Sequence, residues 1–120
     1  MIFKKVFSSF GYAANGISYA WHNELNFRIE VVLGVIAVAL SIYLRINLAP
    51  ILLVSALVLG LELMNTALEA VVDLVSPEEN KLAKIAKDCA AASVFMAAIF
   101  AIAIAISSIL PAILLKLGLL

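Results

Sequence analysis

The sequence has little charge, one cysteine and one histidine, and each shortage excludes a class of protein. Charged residues make up 13% of its 120 residues, whereas 66% are apolar. Soluble domains carry about 25% charged and about 45–50% apolar residues. Eight basic and eight acidic residues cancel, so no net field indicates nucleic acid as a partner. Cys89 alone cannot form an internal disulfide. The composition therefore predicts a small integral membrane protein.

Several common catalytic motifs are also missing. No Gly-x-x-x-x-Gly-Lys-Ser/Thr P-loop occurs, and the Gly-rich loop and His-Arg-Asp motif of protein kinases are absent. His22 is the only histidine, which excludes a Ser/His/Asp group below the membrane surface. Lys4 and Lys5 are not followed by the apolar core and cleavage site of a signal peptide.

Three apolar segments are long enough to cross the ~30 Å hydrocarbon core, which takes about 20 helical residues. We predict these spans at residues 29–47, 50–75 and 86–109. Pro50 suits the first turn of the second span. Residues 111–120 are expected to be a short apolar tail, or a continuation of the third span beyond a kink at Pro111. The predicted fold class is all-α and integral to the membrane, in one domain over residues 1–120.

Residues 3–22 precede the first span and are too polar to cross the membrane. Their larger apolar residues recur at near-helical spacing, at Phe3, Phe7, Phe10, Ile17 and Trp21. This pattern predicts an amphipathic helix lying in the interface, with Trp21 at the headgroup level. The alternative is an arm that faces water and packs on the other helices.

The basic residues predict the orientation of the three spans. One side of the membrane would collect Lys4, Lys5, Arg28, Lys81, Lys84 and Lys87. The other side would hold only Arg45 and Lys116. Cytoplasmic loops carry the excess of lysine and arginine, so we expect a cytoplasmic N-terminus and an external C-terminus.

Glu62, Asn65, Glu69 and Asp73 lie on one stripe of the second span and form the main candidate site. At about 100° per residue they fall at about 0°, −60°, −20° and +20°, with Thr66 beside them. Ionisable groups inside a membrane cost roughly 2.5–3.5 kcal/mol each. The stripe therefore predicts a site that holds cations or handles protons. The alternative is that these acids form interhelical hydrogen bonds or pair with lysines.

Depth in the membrane separates the roles of these acids. Glu62 lies about 16 Å along the helix axis from Asp73, below the headgroups, and is the candidate general base. Glu69 is closer to the surface and better placed to meet hydrated Mg²⁺, which needs only one or two carboxylates. Glu24, just before the first span, is expected at a similar depth and could supply the second carboxylate.

A lysine cluster opens the third span. Lys84, Lys87 and Asp88 are i, i+3 and i+4 neighbours at the membrane boundary. Lysines beside metal-binding carboxylates suit a polyphosphate, which requires both Mg²⁺ and positive charge. The alternative is an anchor for anionic lipid. Arg28 and Glu30, at the entry to the first span, could likewise be interfacial anchors.

Two residues compete to cap the helix after the second span. Residues 76–79, Ser-Pro-Glu-Glu, have the N-cap, the N1 proline and the N3 glutamate of a capping box. Asn80 could instead cap the helix after a plain turn. The sequence leaves this choice open.

Two segments resemble the prokaryotic diacylglycerol kinase family. Residues 62–73, Glu-Leu-Met-Asn-Thr-Ala-Leu-Glu-Ala-Val-Val-Asp, with Ala-Lys-Asp at 86–88, resemble its signature. Residues 23–30, Asn-Glu-Leu-Asn-Phe-Arg-Ile-Glu, resemble its first conserved segment. The resemblance covers about residues 5–110. It implies a lipid kinase of the bacterial cytoplasmic membrane, with a surface helix, three spans, and a homotrimer whose active sites lie between subunits.

The resemblance also implies roles for individual residues. Glu62 is similar to the base that takes the proton from the lipid hydroxyl, and Arg28 and Glu30 fall in the lipid-substrate segment. Glu24 and Glu69 resemble the ligands of Mg²⁺. The positions that resemble the ATP site are Lys5, Tyr12, Glu24, Asn65, Glu69, Asp73, Glu78, Asn80, Lys87 and Asp88. Some members carry Glu-Tyr-His where this chain has Glu-Glu-Asn at residues 78–80.

Two lipid alcohols compete as the substrate implied by the resemblance. The segments 76–78 and 82–88 look more like the undecaprenol kinases, whereas Trp21 and Glu30 are closer to the diacylglycerol branch. We expect undecaprenol, with diacylglycerol as the alternative. Two functions of other classes are a proton-coupled transporter that uses Glu62 as its carrier, and a purely structural or lipid-binding membrane protein.

Overall fold

The computed structural model describes all 120 residues, which form four α-helices and no strand. The helices are α1 (Ile2–Asn23), α2 (Leu25–Tyr43), α3 (Ala49–Val75) and α4 (Lys81–Lys116). Helices α2, α3 and α4 are each long and apolar enough to cross a membrane. The predicted all-α integral membrane fold is confirmed.

Helix α1 packs against α2 and α3 through its C-terminal end. Ala20 is its only buried residue, and apolar side chains such as Phe3 and Phe7 are exposed. Glu24 alone separates α1 from α2, and its extended backbone makes the corner between them. The Glu24 N–H donates to the carbonyl of Ala20 at 2.8 Å. This corner holds the Glu24 side chain at the start of α2.

The turn between α2 and α3 ends α2 at Tyr43, four residues before the predicted end of the span. Arg45 adopts a left-handed conformation, with φ of 57°. The N–H of Arg45 donates to Ile42, and that of Ile46 donates to Ser41, which is a Schellman arrangement. The Asn47 Oδ1 then accepts from Ala49 N at 3.1 Å. These bonds satisfy the helix-end groups and fix the α2–α3 connection.

Asn80, not Ser76, caps α4. Its Oδ1 accepts from the N–H groups of Leu82 at 2.8 Å and Ala83 at 3.4 Å. The Ser76 hydroxyl instead donates to the carbonyl of Glu78 within the loop. Helix α4 therefore begins at Lys81, five residues before the predicted start of the span.

Helix α4 continues through Pro111 and ends at Lys116, so most of the predicted tail is helical. The proline removes one backbone donor, and the hydroxyls of Ser107 and Ser108 bind the carbonyl of Ile104 in the preceding turn. The Lys116 ammonium lies 3.9 Å from the ring centroid of Tyr43. This cation–π contact joins the far ends of α4 and α2.

Helix α3 lies at the centre and packs against both α2 and α4. Its buried residues are Ile51, Val54, Val58 and Glu62, an apolar stripe whose last member is a carboxylate. Small residues on α4, such as Ala90 and Ala97, are buried and allow close approach of helices in lipid. Glu62 therefore lies at one end of the buried stripe by which α3 packs in the bundle.

Candidate functional site

Glu62 is buried, with 3% of its surface exposed, where α2, α3 and α4 meet. It lines a groove of about 520 Å³, within the size range of ligand sites. We call this the membrane groove. Its polar side chains are Asn26, Glu30, Glu62, Asn65 and Asp88. Its remaining walls are apolar residues of α4 between 91 and 98.

Two polar atoms near Glu62 are buried without any hydrogen-bond partner. These are Oε2 of Glu30, whose carboxyl group lies against that of Glu62, and Oδ1 of Asn65. A buried acceptor left without a donor costs roughly 1–3 kcal/mol. Both residues line the membrane groove. A hydroxyl group or a cation that enters between these residues would satisfy the two buried acceptors.

Glu24 and Glu69 lie near the same region, Glu24 at the start of α2 and Glu69 two turns after Glu62 on α3. Both are half-buried, and both lie close enough to Glu62 to interact with it electrostatically. Asn65 Nδ2 donates to Glu69 Oε1 at 3.4 Å. Four carboxyl groups therefore lie in this region, and none of them forms an ion pair with a lysine or an arginine. They belong to Glu24, Glu30, Glu62 and Glu69. Carboxylates without a basic partner are available as oxygen ligands for a divalent cation.

The predicted metal ligands do not form a closed protein cage. The chain has no cluster of three or more His, Cys, Asp or Glu side chains arranged to hold a metal. Mg²⁺ keeps several of its waters and is commonly held by one or two carboxylates together with substrate phosphates. The carboxylates of Glu24 and Glu69 are oxygen donors of the kind that Mg²⁺ accepts in such an open site.

A second groove, of about 740 Å³, lies between the end of α3, the 76–80 loop and the start of α4. We call this the loop groove. It contains both ion pairs of the chain, Lys87 with Asp73 and Lys84 with Asp88. Asp88 lines both grooves. The loop groove therefore adjoins the membrane groove at Asp88.

The structure brings most of the predicted residues to one of the two grooves. Glu30, Glu62 and Asn65 line the membrane groove, and Asp73, Glu78, Asn80 and Lys87 line the loop groove. The side-chain oxygen Oδ1 of Asn80 is already bonded as the cap of α4. Five predicted residues line neither groove: Lys5, Tyr12, Glu24, Arg28 and Glu69.

Two polar groove residues were not assigned to a lipid, metal or nucleotide position, although Lys84 belongs to the lysine cluster predicted to suit a polyphosphate. Asn26 lies one turn before Glu30 on α2, and Lys84 lies one turn before Asp88 on α4. Each lies four residues before a predicted residue of the same helix, and this spacing places the two side chains on one face. That shared face was the feature of the sequence from which both could have been found.

Comparison with known proteins identifies relatives over most of the chain. The sequence model of a family described as prokaryotic diacylglycerol kinase matches residues 11–109. A diacylglycerol kinase of Synechocystis sp. is 47% identical over 107 residues, which is 86% of this chain and 61% of the relative. The diacylglycerol kinase of Escherichia coli K12 is 37% identical over 103 residues, covering 83% and 84%. That of Haemophilus influenzae is 40% identical over 89 residues, covering 72% and 75%.

Proposed function

Because this chain belongs to the prokaryotic diacylglycerol kinase family, we propose that it transfers the γ-phosphoryl group of ATP to the hydroxyl of diacylglycerol. The relatives described above carry that lipid in their names. The expectation of undecaprenol, drawn from the loop and the start of α4, is not supported by these comparisons. Diacylglycerol, the alternative, replaces it.

The observation that carries this proposal is the junction of the two grooves at Asp88. Lipid reaches the membrane groove sideways from the bilayer, because the wall that α4 supplies between residues 91 and 98 is apolar. A nucleotide reaches the loop groove from water, because its lining is largely charged. The hydroxyl and the phosphate then meet between Glu62 and Lys87, where phosphoryl transfer requires positioning and charge neutralisation.

Glu62 acts as the general base. The lipid hydroxyl oxygen bonds to the γ-phosphorus while its proton passes to the Glu62 carboxylate, and ADP leaves with the electron pair of the broken bond. The free acceptors on Glu30 and Asn65 orient the hydroxyl before transfer. Arg28, which forms no ion pair, is available at the headgroup level for the rest of the polar lipid.

Mg²⁺ would be held by Glu24 and Glu69, with Asn65 positioning Glu69 through its amide. The ion supplies positive charge to the phosphates when bound. Lys87 supplies a further charge from the loop groove, and Asp73 holds it ready there. Two further residues are assigned to the nucleotide. Glu78 lies in the 76–80 loop that lines the loop groove. The Nδ2 of Asn80 is not used in the cap, so it is available to donate to the base of the nucleotide.

We place the active sites between subunits of a homotrimer. Support comes from the five predicted site residues that line neither groove of their own chain, which are Lys5, Tyr12, Glu24, Arg28 and Glu69. The chain also buries only 11 of its 120 residues, which leaves apolar surface for partners as well as lipid. Because ATP is cytoplasmic, we assign the loop groove and the N-terminus to the cytoplasmic side of the bacterial inner membrane.

Transfer of label from ATP in mixed micelles tests this function. Diacylglycerol and undecaprenol are offered separately with Mg²⁺, and the Glu62→Gln variant serves as the control. We expect label on diacylglycerol, with the larger specificity constant, and none with the variant. Preference for undecaprenol would overturn the substrate. No label on either lipid, from folded protein, would overturn the kinase and favour a proton-coupled transporter.

A further inference from the structure

We propose that Lys84 is a second phosphate-binding lysine beside Lys87, and that both lysines exchange an aspartate for the triphosphate when the nucleotide binds. This inference rests on the proposed function and gives Lys84, a member of the predicted lysine cluster, a role of its own in it. In the free chain Lys84 Nζ lies 2.6 Å from Asp88 Oδ2, and Lys87 donates to Asp73. Both ammonium groups lie at the loop groove.

The position of Lys84 in α4 argues against a structural purpose. Asn80 is the N-cap, so Lys84 lies in the second turn, near the positive end of the helix dipole, where a cation is unfavourable. Its pair with Asp88 also has the less favourable order, because an acid stabilises a helix better when it precedes the base by four residues. A lysine placed there adds to the positive potential that an anion meets.

Both ion pairs break easily. The side chains of Lys84 and Asp88 are 77% and 63% exposed, and exposed pairs contribute little because water screens them. A phosphate oxygen offers each ammonium a charge-assisted hydrogen bond of the stronger kind. A multiply charged anion therefore displaces a single carboxylate from each lysine.

The loop groove is lined by three lysines, Lys81, Lys84 and Lys87, and by four acids, Asp73, Glu78, Glu79 and Asp88. Because the acids outnumber the lysines, the positive charge that a triphosphate meets comes from ammonium groups that have left their aspartates, together with the Mg²⁺ that accompanies the nucleotide. Asp88, once released, still lines the membrane groove.

The test compares Lys84→Gln with the unmodified full-length protein in mixed micelles. We expect the KM for Mg·ATP to rise about tenfold, the effect of losing one charge-assisted hydrogen bond, while kcat and the KM for diacylglycerol stay within about twofold. Lys84→Arg restores the KM because it keeps the charge. Lys116→Gln, the same change at the other end of α4, leaves all three constants unaltered. The KM for Mg·ATP also rises less steeply with salt in Lys84→Gln than in the unmodified chain.

Equilibrium binding of labelled Mg·ATP without lipid separates the two possible failures. If the unmodified protein transfers phosphate and Lys84→Gln binds Mg·ATP within twofold of it, with the same salt dependence, the Lys84 inference is wrong and the kinase stands. If the unmodified protein neither binds Mg·ATP nor labels a lipid, both proposals fail.

Discussion

The ammonium of Lys87 donates a hydrogen bond to Oδ1 of Asp73, fourteen residues earlier in the chain and on the neighbouring helix. It is the only ion pair that joins two helices, because the other lies within α4. The pair closes the 76–80 loop and holds Lys87 at the loop groove. The Lys87 side chain is 40% exposed and that of Asp73 is 64% exposed.

Removing this pair is expected to change the KM for Mg·ATP far more than the free energy of unfolding. Lys87→Gln should raise the KM for Mg·ATP at least tenfold, through loss of a charged contact to phosphate. The same variant should change the free energy of unfolding by no more than about 1 kcal/mol, because the pair is exposed. Kinetics and thermal unfolding in detergent measure the two effects. A large loss of stability with unchanged KM would make Lys87 a structural residue.

Glu62→Gln is expected to lower kcat at least about 100-fold, because the amide cannot accept the proton that a general base removes. The change keeps the shape of the side chain, so the helices should remain folded by circular dichroism. Glu79→Gln removes an acid from the exposed loop and should keep near-normal kcat. Equal rates in the two variants would contradict the role given to Glu62.

Glu69→Gln is expected to raise the Mg²⁺ concentration that half-saturates activity, since one of two proposed carboxylate ligands is lost. Asn65→Ala should act in the same direction, by about 10–100-fold in metal affinity, because the amide orients Glu69. Both are measured by titrating Mg²⁺ at fixed ATP. A half-saturation value unchanged in both variants would exclude this pair from the metal site.

Arg45→Gly is expected to stabilise the chain. Arg45 occupies the left-handed position of a Schellman motif, where a side chain costs roughly 1–2 kcal/mol. Gly118 occupies the same position after α4, with φ of 70°. Part of the gain is lost to the greater freedom of glycine in the unfolded chain, so we expect about 0.5–1 kcal/mol.

Gly118→Ala is the matched opposite change and should destabilise the end of α4 by about 1 kcal/mol. Thermal unfolding in one detergent, followed by circular dichroism, compares both variants with the unmodified chain. A lower midpoint for Arg45→Gly would mean that the Arg45 side chain contributes more than its backbone conformation costs.

The stripe on α3 was fully predictable from sequence, because the period of an α-helix puts Glu62, Asn65, Glu69 and Asp73 on one face whatever the helix packs against. The apolar runs likewise determined three spans, since only helices of that length satisfy their backbone groups in lipid. The cost of burying carboxylates there already indicated a functional site.

Tertiary structure decided which side chains meet. It paired Lys87 with Asp73 and Lys84 with Asp88, and it set Glu30 against Glu62. Helical periodicity gives the direction of each side chain around its own axis, but not the rotation, tilt or depth of one helix against another. Those depend on packing such as the small residues of α4 against α3, and so does the position of Asp88 between the two grooves.

The ends of the helices were decided in the same way. Ser76 and Asn80 were equal candidates as caps by sequence, and the path of the loop selected Asn80. At Pro111 the sequence left open either an end of the helix or a continuation beyond a kink, and α4 continues to Lys116, where the ammonium contacts the Tyr43 ring. Local propensity favoured a break at the proline, whereas contacts between distant parts of the chain maintain the helix.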